Sequence, residues 1–179
     1  TLPAVSTTRL LQTCTGPVTH VCPSGKSSSL NVIYYDWESG SNRQDLLPAL
    51  AGDSVSPDAV ALFQVFQTRK PDNQTLDWDV FVLPQNGSRM GFPGTVPGTF
   101  PSPMMLHSAK WNGTDTFGPA KTQVDVWIND NVWQKGNTQV TLTSTATGDV
   151  VGYRMPQQGV IQEVLGPIVK AVPTGVFQQ

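Results

Sequence analysis

The strongest constraint in this chain is a period of two. Short runs in which apolar and polar residues alternate recur, each closed by a cluster of Gly, Pro, Asn, Asp or Ser. Successive side chains of a strand point to opposite faces, whereas a helix repeats every 3.6 residues, so such runs settle as half-buried strands. "LNVIYYDW" (30–37) stops at "ESGSN", and "AVALFQVFQT" (59–68) stops at "RKPDN". "TLDWDVFVLP" (75–84) places Trp78, Val80 and Val82 on one face and Asp77, Asp79 and Phe81 on the other, before the turn "QNGS". "QVDVWIND" (123–130) aims Val124, Val126 and Ile128 one way, and "TQVTLTST", "DVVGYRM", "GVIQEVL" and "IVKAVP" complete the series. Turn signals at intervals of about 8–15 residues predict an all-β fold, an antiparallel β-barrel or sandwich with long Pro/Gly-rich loops and at most one or two short helical turns. The chain is read as a single β domain over 1–179.

Helical signals are weak. "SNRQDLLPALAG" (41–52) is the best candidate, but Pro48 would end or kink it. "SPDAV" (56–60) offers one turn, with Ser56 as N-cap and Pro57 behind it. "GFPGTVPGTFPSPMML" (91–106) is so dense in Pro and Gly that it reads as a long ordered loop or irregular crossover and not as a central strand.

Charged residues make up only 13% of the chain, against about 25% in typical domains, and Ser, Thr, Asn and Gln fill the gap. The net charge of −2 argues against a basic nucleic-acid-binding face. No run of 18 apolar residues is present, so no membrane insertion by a helix is expected. "TLPAVSTTRLLQT" lacks the regions of a signal peptide, and the missing initial Met suggests a processed or excised domain. Cys14 and Cys22, in "CTGPVTHVC", could close a small disulfide loop or stand as two buried thiols; spacing leaves both open.

Catalytic constellations are thin. Gly25-Lys26-Ser27 ends like a phosphate loop, but His20 stands where its first glycine belongs. His107 and Ser108, with Asp115 and Asp125 downstream, are the residue types of a hydrolytic triad, yet no nucleophile elbow surrounds Ser108. Asp77 and Asp79 share a strand face at about 7 Å, a spacing glycosidases use, but read more simply as a solvent face. Two His and two Cys without ligand spacing make no zinc centre. Asn73, Asn86 and Asn112 each head an Asn-x-Ser/Thr triplet at a predicted turn, where a secreted protein would carry glycans. Turns that combine a Trp with polar neighbours, "YDWESGSN" and "KWNGTDTF", suit sugar stacking, with Trp37, Trp111 and Trp133 read as exposed and Trp78 and Trp127 as core.

"QVTLTSTATGDVVGYRMPQQGVIQEV", followed by "VPTGVFQQ", resembles the distal end of calicivirus protruding domains: strand, Thr-Gly turn, strand, Pro/Gly turn, and a late Gly-x-Phe strand. "LPQNGSRMGFPG" (83–94) is similar to a second element of that group. The chain is shorter than those domains, which brings it nearer to astrovirus or hepatitis E-like spikes. The resemblance implies a protruding or spike domain of a non-enveloped positive-strand RNA virus capsid protein, cut from a longer capsid polyprotein. It further implies a homodimer on the virion surface that binds a host-cell receptor or glycan, meets neutralising antibodies, and uses no cofactor or catalysis. In that frame Trp37, Arg43, Arg89, Trp111 and Asn112 are the candidate receptor contacts, and Phe92, Phe100 and Met104 the candidate dimer contacts. The "TSTATGDVVGYRM" hairpin is then scaffold, with Val140, Leu142, Val151 and Tyr153 inward and its Thr and Gln residues outward. A secreted β-sandwich carbohydrate-binding module and a hydrolase using His107 and Ser108 are the alternatives.

Overall fold

Eleven antiparallel strands form one sheet in a computed structural model of the chain, with no helix beyond two 3-10 turns among the described residues. The structure describes residues 2–17, 27–48, 63–69, 75–82, 90–97, 101–132 and 135–177; for 27, 46–48, 63–67, 75, 78–82, 90–93 and 96–97 it gives the backbone course alone. The strands are β1 (Val5–Cys14), β2 (Ser27–Asp36), β3 (Ser41–Pro48), β4 (Phe63–Arg69), β5 (Thr75–Val82), β6 (Met90–Pro97), β7 (Lys110–Phe117), β8 (Thr122–Asp130), β9 (Thr138–Ser144), β10 (Val150–Met155) and β11 (Val160–Val164). Their order is β6-β5-β4-β3-β2-β1-β11-β10-β9-β8-β7. Two up-and-down meanders, β1–β6 and β7–β11, are therefore joined where β1 pairs with β11, and β6 and β7 are the edges. The fold is all-β, as the alternation predicts.

Three local expectations are corrected. The best helical candidate is strand β3, paired with β2 and β4 along most of its length. Ladders on both sides outweigh a helix propensity worth only tenths of a kcal/mol per residue. The first half of the Pro/Gly-rich stretch is strand β6, which pairs on one side only, with β5. Pro lacks an N–H to donate, so an edge is where a strand tolerates Pro93 and Pro97. The "IVKAVP" run forms only a single bridge, Thr7 with Val169. The turn expected at 56–60 lies outside the described residues.

Burial explains the packing. On β1 the face carrying Ser6, Thr8, Leu10, Gln12 and Cys14 is buried, while Arg9 on the other face is exposed. Cys14, Met155 and Val160 pack together on the Leu10 face. Further along, the apolar side switches. The register Leu11–Glu163–Gly152–Leu142–Val126 carries the opposite face across the sheet, and there Val124, Val126, Val140 and Leu142 form a second cluster, flanked by Phe117, Ile128 and Val151. Phe117 of β7 sits against Gly152 of β10, three strands away, which would be about 14 Å in a flat sheet. Arg154 of β10 likewise reaches Asp115 of β7 at 3.0 Å. This half of the sheet curls tightly around the second cluster.

Strand β9 is consequently buried on both faces: Val140, Leu142 and Ser144 on one, Gln139, Thr141 and Thr143 on the other. The Thr and Gln side chains there are interior, against the expectation of a solvent face. Tyr153 pairs with Thr141 and faces away from Leu142, because a register shift between Val150 and Gly152 separates the two ends of β10. Burial pushes the Tyr153 phenol up to about 12.

The Leu10 face also holds a carboxamide cluster. Gln12 Oε1 accepts from Asn31 Nδ2 (2.5 Å), Gln162 Nε2 (2.8 Å) and Gln44 Nε2 (3.5 Å), and Gln12 Nε2 donates to Cys14 Sγ (3.6 Å). Cys14 is disulfide-bonded, and the only other cysteine in the chain is Cys22, outside the described residues.

Strand β6 ends at the edge of the sheet where β1 begins, and β7 starts at the other end. The connection must therefore travel the length of the strands. Tyr35 Oη donates to Pro101 O at the first end, and Asn129 Nδ2 donates to Met105 O at the second, with the 3-10 turn Met105–His107 between β6 and β7. Both contacts lie on the Leu10 face, so this connection covers it.

Candidate functional site

Strand β7, expected as a polar turn region, is an exposed edge strand with a bulge. Trp111 pairs with Trp127 and Thr114 with Asp125, so Asn112 and Gly113 together face only Val126. Gly113 adopts φ +86°, a conformation glycine takes without cost. The extra residue keeps Trp111 and Thr114 on one face, with Trp127 and Asp125 beside them.

Two indoles are anchored there. Trp127 Nε1 donates to Thr143 Oγ1 at 2.8 Å, and Trp111 Nε1 donates to Asp125 Oδ1 at 3.1 Å. Trp111 nevertheless remains 60% exposed. Its edge is pinned by a carboxylate while its ring stays open to solvent, with exposed Thr114 on the same face. An aromatic plate with a hydroxyl and a carboxylate on the same face offers stacking for the C–H face of a sugar and hydrogen bonds for its hydroxyls.

The other candidate contacts fall elsewhere. Trp37 follows β2 at the opposite end of the sheet, and the Arg69 guanidinium stacks 4.1 Å over its ring while Arg69 Nη2 donates to Trp37 O. Arg43 is committed within the domain: it grips Asp45 through two nitrogens (2.6 and 2.9 Å), donates to Val176 O, and lies over Tyr34. Trp37 and Trp111 thus do not share one surface, and Asn112, next to Trp111 in β7, lies in the bulge opposite Val126 and not on the Trp111 face. Met104 is exposed beside the 3-10 turn. Arg89 and Phe100, the side chain of Phe92, and Asn73, Asn86 and Trp133 lie outside the described residues. Asn112 sits in a strand bulge and not in a turn.

His107 and Ser108 lie at the end of that same 3-10 turn, both exposed, and Ser108 Oγ donates to Met105 O at 3.0 Å. The carboxylates a triad would need have other partners. Asp115 accepts from the Thr116 N–H and from Arg154, which in that order lower its carboxyl from the usual value, and Asp125 holds Trp111. Asp77 accepts from Thr95 Oγ1 at 2.8 Å. No group of three or more His, Cys, Asp or Glu able to hold a metal occurs among the described residues.

Asp125, which the sequence offered only as a triad carboxylate, instead anchors Trp111, a role that sequence reading missed. Its tie to Trp111 depends on the one-residue offset that the Asn112-Gly113 bulge introduces, and the Asn-Gly pair is the only signal for it. No known protein family matches the sequence, and no curated protein is detectably similar to it.

Proposed function

We propose that this domain is a binding module, the protruding or spike domain of a non-enveloped RNA virus capsid, and that it attaches to a host-cell glycan through the Trp111 plate on β7. The capsid reading rests on the resemblance of the C-terminal third and is compatible with the all-β fold. The glycan reading rests on one observation above others, an indole pinned at its N–H yet 60% exposed. An isolated plate of this kind binds weakly, near the millimolar range that corresponds to about −4 kcal/mol. Many copies on a virion, each also dimeric in this reading, would raise avidity without new contacts.

The test is a glycan screen with the domain displayed multivalently, followed by ligand-observed NMR. Trp111→Ala is expected to abolish binding without lowering the melting temperature, while Trp37→Phe leaves binding intact. Unchanged binding by Trp111→Ala would reject the plate.

A secreted carbohydrate-binding module is the second reading, favoured by the disulfide at Cys14, a bond typical of oxidising compartments. Cys14→Ser separates the two. A variant that no longer folds supports the secreted module, whereas one that folds and binds suits a protein matured in the cytosol.

A further inference from the structure

We propose that Asn112 is a self-modification site: its carboxamide is lost spontaneously through attack by the backbone nitrogen of Gly113, which places a negative charge on the exposed edge strand β7. Four observations carry this. Asn112 is followed by glycine, which has no side chain to obstruct approach to the Asn112 Cγ. The Asn112 side chain is exposed and forms no hydrogen bond with the described residues. The pair sits in a bulge that the ladder with β8 skips, between Trp111–Trp127 and Thr114–Asp125. Finally, Gly113 has φ +86°, and a Cβ built there meets nothing within 4 Å, so the space around its backbone is open.

The chemistry balances within the chain plus water. The Gly113 nitrogen forms a bond to Asn112 Cγ, the Cγ–Nδ2 bond breaks, and the proton from the Gly113 nitrogen leaves with the departing ammonia. Water then opens the five-membered imide at either carbonyl, giving Asp or isoAsp at 112. The isoAsp product adds a backbone methylene. A ladder position could not absorb that atom without losing register, but a bulge already carries a surplus residue. The other described asparagines nearby are better protected. Asn137 is buried, Asn129 donates to Met105 O, and Asn131 accepts from Gly136 N; none precedes glycine.

The modification does not depend on the glycan reading above. The domain is incubated folded at mildly alkaline pH, in parallel with a urea-denatured sample, and both are mapped by peptide mass spectrometry. Asp and isoAsp are expected to accumulate at 112 in the folded sample at a rate close to that in the denatured one, while Asn129, Asn131 and Asn137 keep their amides when folded. Gly113→Ala, whose methyl has room, should suppress the conversion. An intact Asn112 in the folded sample, beside conversion in the denatured one, overturns the proposal. So does conversion undiminished by Gly113→Ala.

Discussion

Replacing Gly152 by alanine isolates the curl of the β7–β10 half from every other feature. Gly152 has no positive φ, so the substitution strains no backbone dihedral and its effect is steric. The new methyl would overlap Phe117 Cε1 and lie 2.6 Å from Phe117 Cζ and 2.7 Å from Gln162 O. The ring can swing away, but the carbonyl belongs to β11 and moves only with the strand. Overpacking of this kind costs about 1–3 kcal/mol. Displacing Phe117 from Val124, Val126 and Leu142 adds on the order of 1 kcal/mol, part of the burial energy of a Phe side chain. The sum, about 2–4 kcal/mol, corresponds to a melting temperature lowered by roughly 5–15 °C in a chain of this size. Urea unfolding of the wild type, Gly152→Ala, Phe117→Ala and the double variant measures it. The double variant should lose less than the sum of the singles, by about 1–2 kcal/mol, because the clash has been removed. As a control, Gly148→Ala meets nothing within 4 Å but carries φ +75°, and should cost about 1 kcal/mol. A Gly152→Ala chain within about 0.5 kcal/mol of wild type would refute the packing of β7 over β10.

Other outcomes follow from the interior. Gln12→Leu removes the acceptor shared by Asn31 and Gln162, strands two buried amides, and should cost about 2–5 kcal/mol in urea unfolding. The folded Asp115 carboxyl titrates below its unfolded value, so its contribution is present above about pH 4 and is lost as pH falls through the lower, folded value. Asp115→Asn should therefore flatten the acid side of the stability profile measured by thermal melts. The Tyr153 phenol is raised by burial to about 12, so its stabilisation is complete below about pH 10 and fades as pH rises toward 12. Phenolate absorbance should show Tyr153 protonated until the chain unfolds in alkali, and Tyr153→Phe should remove that part of the alkaline loss.

Fold class was legible because alternation survives wherever one face is apolar, as in β8, where Val124, Val126 and Ile128 share a face. It failed where burial is polar. Strand β1 hides its inner face behind Ser6, Thr8 and Gln12, which no hydropathy pattern marks as interior. The Thr residues of β9 misled for the same reason, since a strand buried on both sides has no solvent face to declare itself. The prolines of β6 and the adjacent leucines of β3 argued locally against strands that pairing partners far along the chain then imposed. At the candidate site, the aromatic and polar character of residues 110–117 was visible in the sequence. The Trp111–Asp125 tie needed the bulge register, a property of two paired strands together.

The arrangement of the meanders has a kinetic corollary. Within each half, neighbouring strands are neighbours in sequence and can zip up locally. Ladder pairing between the halves is the short run from Leu10 with Val164 to Cys14 with Val160, which joins opposite ends of the chain. Closing so remote a contact is entropically slow, so assembly of the two halves should limit the folding rate. A protease cut between β6 and β7 would leave each meander whole, and the two fragments should reassociate as a noncovalent pair. In effect, this is one sheet made of two unlike halves that a twelve-residue tether keeps in one molecule.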